Sequence, residues 1–233
     1  MAKPPRPWTV VPHSPIEKLE ANLWAIESPV PGLTFTRRMV MVRLGDGSIV
    51  FLDAVPMDEA SLAQIRAWGT PSILIVTNGY HRIDVHAFRE KLGVRVLAPA
   101  KSAGRIRKRV QVDGSLAELP EDPSLVAEQL DGVDSGEAMF HVKNHAGKVT
   151  MIFSDGVMNM QKKLRGFPKL LGFQGGPKVT PVFKFFVVKN KQALKAHYLA
   201  LARTPNLSRL VFCHGDTIET DAPGALRRAA ETI

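Results

Sequence analysis

The sequence predicts an α/β fold in a single domain, with helices covering both faces of β-structure. Three observations predict it. Residues 73–76 and 210–213 are short, wholly apolar runs, the pattern of strands buried on both faces. Longer stretches between such runs open on helix-capping residues, Asp58 and Asn190 among them. Hairpin signals are mixed in, most clearly Gly45-Asp46-Gly47.

The elements follow in order. The first sixteen residues are rich in proline and read as an extended arm. Residues 19–28 read as one strand, because Leu19, Ala21, Leu23 and Ala25 alternate onto one face. Residues 36–44 form a strand with Met39 and Met41 on one face and Val40 and Val42 on the other. After the Gly45–Gly47 turn the chain returns as a strand over 48–52. Asp58 caps a helix running to about Trp68, and the apolar run 73–76 is the next strand. A helix over about 84–92, a strand over 94–98 and a helix over 101–109 come next. Residues 125–130, 137–142 and 148–154 read as strands, the last two paired through a turn at 144–147. The six glycines and prolines between Gln161 and Thr180 predict an irregular loop or lid over 161–180. Asn190 caps a helix through Arg203, residues 210–213 are a strand, and residues 222–233 are a helix.

Composition narrows the class. The chain has 233 residues, 45% hydrophobic and 23% charged, which is ordinary for a globular protein. A single domain of this length buries roughly 70–75% of its unfolded surface. The one cysteine, Cys213, excludes an internal disulfide framework and a multi-cysteine zinc cluster. No stretch approaches the ~18 apolar residues of a membrane span. The segment Met1-Ala-Lys-Pro-Pro-Arg-Pro-Trp8 lacks the apolar core of a signal peptide. The expectation is a soluble protein of a reducing compartment, the cytoplasm.

The net charge is +9, and it is unevenly placed. Residues 156–215 contain no Asp or Glu but eleven basic residues, among them Lys162, Lys163, Arg165, Lys169 and Lys178. The remainder of the chain carries 20 basic against 22 acidic residues, so the whole surplus lies in that segment. A basic surface concentrates anions. An anionic small molecule, an anionic membrane surface and nucleic acid are candidate partners, and a merely solvated lysine face is the plain alternative. No nucleic-acid motif is present, so nucleic acid is not the expected partner.

Four apolar strands end in polar residues of catalytic type. Residues 49–52 lead to Asp53, 73–76 to Thr77-Asn78, 151–154 to Asp155 and 210–213 to His214. If these strands are parallel neighbours, their polar ends converge on one edge, where layered α/β folds bind ligands. Asp53, Asn78, His81, Asp155 and His214 are then expected to line one pocket.

The order of these parts carries a resemblance. Asn22-Leu-Trp, a hairpin ending at Asp53, the buried strand entering Thr77-Asn78, then Ser154-Asp155-Gly156 and Cys213-His214-Gly215-Asp216 together resemble a metallo-β-lactamase-superfamily protein over most of its length. Thr36-Arg-Arg-Met39, Arg43-Leu-Gly-Asp-Gly47 and Asn78-Gly-Tyr-His81 resemble an uncharacterised branch of it in which the zinc motif is worn down. The resemblance implies an αββα sandwich of two mixed sheets flanked by helices, with the site at the strand ends. It also implies a comparison with the signature His-x-His-x-Asp-His. Aligned from Asn78, the signature positions hold Asn78, Tyr80, Arg82 and Ile83, none of them the expected ligand. Slid to start at His81, the pattern places His86 last, with Ile83 and Val85 between. The usual Gly-His-Thr best matches Gly132-Val133-Asp134, so that histidine is missing as well. Asp155 matches the carboxylate that often bridges two metals, and His214 matches the last histidine ligand.

The catalytic candidates are therefore His81, Asp155 and His214. The same three are the candidate ligands of a single zinc ion, with Asp84 and His86 in reserve; no cofactor at all is the alternative. Asp53, Asn78, Tyr80, Lys162, Lys163 and Arg165 are candidate substrate-binding residues. His141 is expected to face outward and His145 to lie at a turn. His197 is expected on a helix surface, and Cys213 in the core. Three functions are open: a hydrolase acting on a small anionic ester, lactone or phosphorylated substrate; a non-catalytic binding or scaffold protein of the same fold; and a nucleic-acid binder. The hydrolase is preferred, with the 161–180 segment as a lid over an anionic ligand rather than a membrane contact.

Overall fold

A computed structural model describes residues 6–233, which form two compact units. Residues up to Ser28 together with Arg38–Ser124 make the first; Pro29–Arg37 and Leu125–Ile233 make the second. The first five residues of the proline-rich arm lie outside the described residues. Residues 6–16 have no regular secondary structure, and Trp8, Val11 and Ile16 pack against the core of the first unit.

In the first unit, β1 (Glu17–Glu20) and β2 (Leu23–Pro29) pair antiparallel. The sequence reads as one strand here, but the chain turns at Ala21-Asn22. Apolar alternation runs on through so tight a connection and conceals it. β3 (Thr36–Arg43), whose first two residues are counted with the second unit, and β4 (Ser48–Leu52) form the hairpin expected around Gly45–Gly47, with Val42 opposite Val50. Helix α1 (Glu59–Trp68) follows, and the Asp58 carboxylate accepts the Ser61 N–H at 2.7 Å. Then come β5 (Thr70–Ile75), α2 (Val85–Leu92), β6 (Arg95–Ala98), α3 (Ala100–Arg107), and β7 (Gly114–Ser115) leading into a 3-10 turn.

The seven strands form one mixed sheet in the order β1 to β7, with β4 to β7 parallel. Alternate residues Met39, Met41, Ile49, Phe51, Leu74 and Val96 pack with Leu62, Ile65, Phe88 and Ile106 of the helices. This is the period-2 strand pattern meeting the apolar stripes of three helices.

In the second unit, β8 (Leu125–Gln129), β9 (Ala138–Lys143) and β10 (Val149–Phe153) form an antiparallel meander, the last two joined by the expected turn. β11 (Met158–Met160) follows. The segment expected as an irregular loop over 161–180 instead carries a one-turn helix, α4 (Phe167–Leu170), and a short strand, β12 (Gly175–Lys178), paired with β11. Helix α5 (Pro181–Phe186), not anticipated, is capped by Thr180. Both short helices have a proline in the first turn, where its missing N–H costs nothing. Helix α6 (Lys191–Leu201) is capped by Asn190, and then come β13 (Leu207–Phe212) and α7 (Ala222–Glu231). The sheet order is β13-β10-β9-β8, with β13 parallel to β10. Met151, Phe153, Leu210 and Phe212 pack against Leu194, Tyr198 and the alanine-lined face of α7. Among the described residues no helix is long and apolar enough to cross a membrane.

Candidate functional site

The four strand ends do not belong to four neighbouring strands. They form two parallel pairs: β4 with β5 in the first unit, and β10 with β13 in the second. Each pair sets a histidine beside a carboxylate.

In the first unit, Leu52 lies opposite Ile75, and Asp53 donates its N–H to the Ile75 carbonyl at 2.9 Å. Asp53 then leaves the strand with φ of 64°, a left-handed conformation that Asp tolerates better than most residues with a Cβ. This turn buries its carboxylate. The carboxylate accepts the Thr77 hydroxyl at 2.9 Å and the Thr77 N–H at 3.2 Å. It also meets His81 Nδ1 at 2.7 Å. Asn78 is buried, and its side-chain oxygen accepts the N–H groups of Tyr80 (2.7 Å) and His81 (3.3 Å), folding the turn that aims His81 back at Asp53. Tyr80 stays half exposed with the Arg105 guanidinium 4.0 Å from its ring centre, and Arg82 donates to the Arg105 carbonyl at 2.6 Å.

In the second unit, Cys213 donates its N–H to the Phe153 carbonyl at 2.8 Å, extending the parallel ladder to the strand ends. His214 is buried. Its Nδ1 meets the Thr36 carbonyl at 2.8 Å, Phe35 packs edge-on against its ring, and its Nε2 stands 3.4 Å from Asp155 Oδ1. A Cβ on Gly215 would fall 2.1 Å from the Asn159 carbonyl oxygen, so only glycine fits after this histidine. Behind Asp155, the buried Glu137 carboxylate accepts the N–H groups of Asp155 (2.6 Å) and Gly156 (3.0 Å). Tyr198 donates its hydroxyl to the Gly156 carbonyl at 2.9 Å. Burial, reinforced by the charge on Glu137, pushes the Tyr198 phenol well above its usual value.

Both histidines share one chemical property. A carboxylate oxygen and a peptide carbonyl only accept hydrogen bonds. Each Nδ1 therefore carries a proton; in the His81 ring this tautomer leaves the lone pair on Nε2, while His214 Nε2 faces the Asp155 carboxylate. Fixing a tautomer this way is how proteins prepare a histidine as a base or as a metal ligand.

The structure thus pairs His81 with Asp53 and His214 with Asp155. Lys162, Lys163 and Arg165 are exposed. Cys213 is in the core, as expected. His197, expected on the surface, is buried: its Nε2 meets Glu128 at 2.8 Å and its Nδ1 accepts the Asp131 N–H at 3.0 Å. Its place three residues after Leu194 and four before Leu201, both buried, was the readable signal. Thr77, Thr36 and Glu137 were not singled out in the sequence. Thr36 acts through a backbone carbonyl, and the Glu137 carboxylate accepts backbone N–H groups that any residues there would supply, so neither leaves a motif.

The dinuclear zinc centre implied by the resemblance does not fit these residues. Ile83 offers no donor, Arg82 is a cation held on Arg105, and the Asn78 oxygen is engaged in its own turn.

No family model matches the chain, and no curated protein matches it. Solved structures do. The DIM-1 metallo-β-lactamase superposes with a TM-score of 0.68 at 14% identity, over 95% of this chain and 99% of that one. A metallo-β-lactamase from Pontibacter korlensis gives 0.67 at 11%, over 94% and 99%. One from Erythrobacter litoralis gives 0.63 at 12%, over 94% and 96%. The likeness spans nearly the full length of each partner, and the chain therefore has the metallo-β-lactamase fold, an α/β architecture of mixed sheets with flanking helices.

Proposed function

We propose that this protein is a hydrolase acting on a small anionic ester, lactone or phosphorylated substrate. The observation that carries the reading is the fixing of His81 by Asp53 at Nδ1, which in that tautomer leaves the basic lone pair on Nε2. A buried carboxylate behind a histidine stabilises the imidazolium formed when the ring takes a proton from water. His81 is assigned as that base. General-base assistance of this kind is worth roughly 10²–10⁴ in rate.

Asp53 is a positioning residue, and Asn78 shapes the turn that carries the base. Tyr80, half exposed on the same turn, offers a ring and a hydroxyl to substrate. Lys162, Lys163 and Arg165 draw the anion by raising its local concentration. Asp155 and His214 bind the reacting group or its water. His81 in the first unit and Asp155 with His214 in the second are donors of zinc-binding type, and an ion on either would supply an acidified water at neutral pH.

The test is hydrolysis of a panel of aryl phosphate mono- and diesters, anionic carboxylic esters and lactones. The purified protein should turn over at least one of them. His81→Asn should lower kcat by roughly 10²–10⁴ while leaving the melting profile near that of the unmodified chain. Absence of turnover across the panel, or equal rates for His81→Asn, would refute the catalytic reading and leave a binding protein of the same fold.

A further inference from the structure

We propose that the face of the second unit formed by α4 and α5 docks on an anionic lipid surface, inserting Phe167, Leu170, Phe185 and Phe186 among the headgroups. This is independent of the hydrolase reading.

The first observation is exposure. Leu170 is 82% exposed, Phe186 78%, Phe185 69% and Phe167 64%. Among the described residues, every exposed phenylalanine lies on these two short helices. Each helix is anchored by one buried residue, Pro168 in α4 and Phe183 in α5, and holds two large apolar side chains outward. The helices abut, since a Cβ on Gly172, just after α4, would fall 2.9 Å from the Pro181 ring that opens α5. Four large apolar groups on adjoining helices form the kind of patch that soluble proteins keep for a partner.

The second observation is charge. These helices sit within the sixty residues that contain no acid. Lys162, Lys163, Arg165 and Lys169 surround α4. Lys184, Lys189 and Lys191 surround α5, with the Lys184 and Lys191 ammonium groups 5.9 and 5.3 Å from the Phe185 ring centre. The partner must therefore be anionic and must also accept aliphatic and aromatic side chains. A second copy of this chain would bring the same cations and be repelled. Nucleic acid satisfies the cations and can stack on phenylalanine, but it gives Leu170, the most exposed of the four, nothing to enter. A leaflet of anionic lipid supplies negative headgroups above an apolar layer and suits all of these groups. The sequence pattern favours a lid over a membrane contact because its apolar residues show no helical arrangement. The structure supplies that arrangement, with Phe167 and Leu170 three apart on one turn.

The experiment is co-sedimentation of the full chain with phosphatidylcholine vesicles, with and without phosphatidylglycerol, over a range of salt. Binding is expected to the mixed vesicles only. Phe185→Ser with Phe186→Ser, and separately Leu170→Ser, should each weaken it at least about tenfold. Replacing Lys162, Lys163, Arg165 and Lys169 with glutamine should weaken it at least about tenfold and flatten its salt dependence. All these positions are exposed, and circular dichroism checks that the variants fold. Failure to bind mixed vesicles overturns the proposal. So does equal binding to neutral vesicles, or binding that ignores the apolar substitutions. Binding to single-stranded nucleic acid that the phenylalanine variant abolishes, with no vesicle binding, assigns the face to nucleic acid instead.

Discussion

Asp53 combines backbone strain with a buried charge, and replacing it separates the two. Its carboxylate satisfies the Thr77 N–H, the Thr77 hydroxyl and His81 Nδ1 from a residue whose φ is 64°. Alanine there removes the carboxylate from the Thr77 N–H and from His81 Nδ1, at about 1–3 kcal/mol each. It also places a Cβ in the left-handed region, costing about 1 kcal/mol more than aspartate does. The sum is about 3–7 kcal/mol, a large part of the ~5–15 kcal/mol that holds a typical domain folded. Glycine loses the same hydrogen bonds but not the backbone term, so Asp53→Gly should be about 1 kcal/mol more stable than Asp53→Ala. Asparagine tolerates the backbone and can keep one oxygen on Thr77, at about 1 kcal/mol. With that oxygen on Thr77, its amide N–H₂ faces His81 Nδ1 and drives the ring proton to Nε2. Asp53→Asn should therefore stay folded and lose the base. Urea unfolding followed by circular dichroism, with a common slope, gives the three midpoints. If alanine proves as stable as asparagine, or glycine less stable than alanine, this account of Asp53 is wrong.

Other outcomes follow from neighbouring features. Tyr198→Phe removes one hydrogen bond to Gly156 and should cost about 1 kcal/mol near neutral pH. Because the folded-state phenol is raised, its contribution is complete below the unfolded value near 10 and declines as pH rises above it. Unmodified protein should therefore lose stability faster than Tyr198→Phe in strongly alkaline urea titrations; parallel curves would contradict the assignment. Elemental analysis of protein purified without added zinc should find no more than one zinc per chain. Two tightly held ions would show that residues outside the signature positions complete a dinuclear centre.

What was legible in the sequence was mostly local. The Gly45–Gly47 hairpin and the caps at Asp58 and Asn190 depend on neighbours a few residues away, and each is where it was expected. The strand ends were legible as polar residues after apolar runs. Which strands lie side by side was not, because β10 and β13 pair across more than fifty residues of chain and no periodicity encodes that. The proline at the head of α4 and of α5 reads as a breaker, yet at the first turn it favours the helix, and both helices were missed on that account. At the site, residue type identified His81 and His214. It could not show that Asp53, expected to touch substrate, turns left-handed at the strand end and holds the histidine. The carbonyl that sets His214 belongs to Thr36 only through the fold, since any residue there carries a carbonyl.

The bond between His214 and the Thr36 carbonyl joins residues 178 positions apart. At about 5–20 residues per second, synthesis separates the two by roughly 10–35 seconds. The first unit draws its strands β4 to β7 from one continuous stretch and has Asp53, Thr77 and His81 within 29 positions, so its histidine can be set while the rest is still being made. Residues 29–37 belong to the second unit and must wait for β13 to emerge before Thr36 meets its partner. A nascent chain stalled before residue 214 therefore carries the Asp53–His81 pair but not the Thr36–His214 bond.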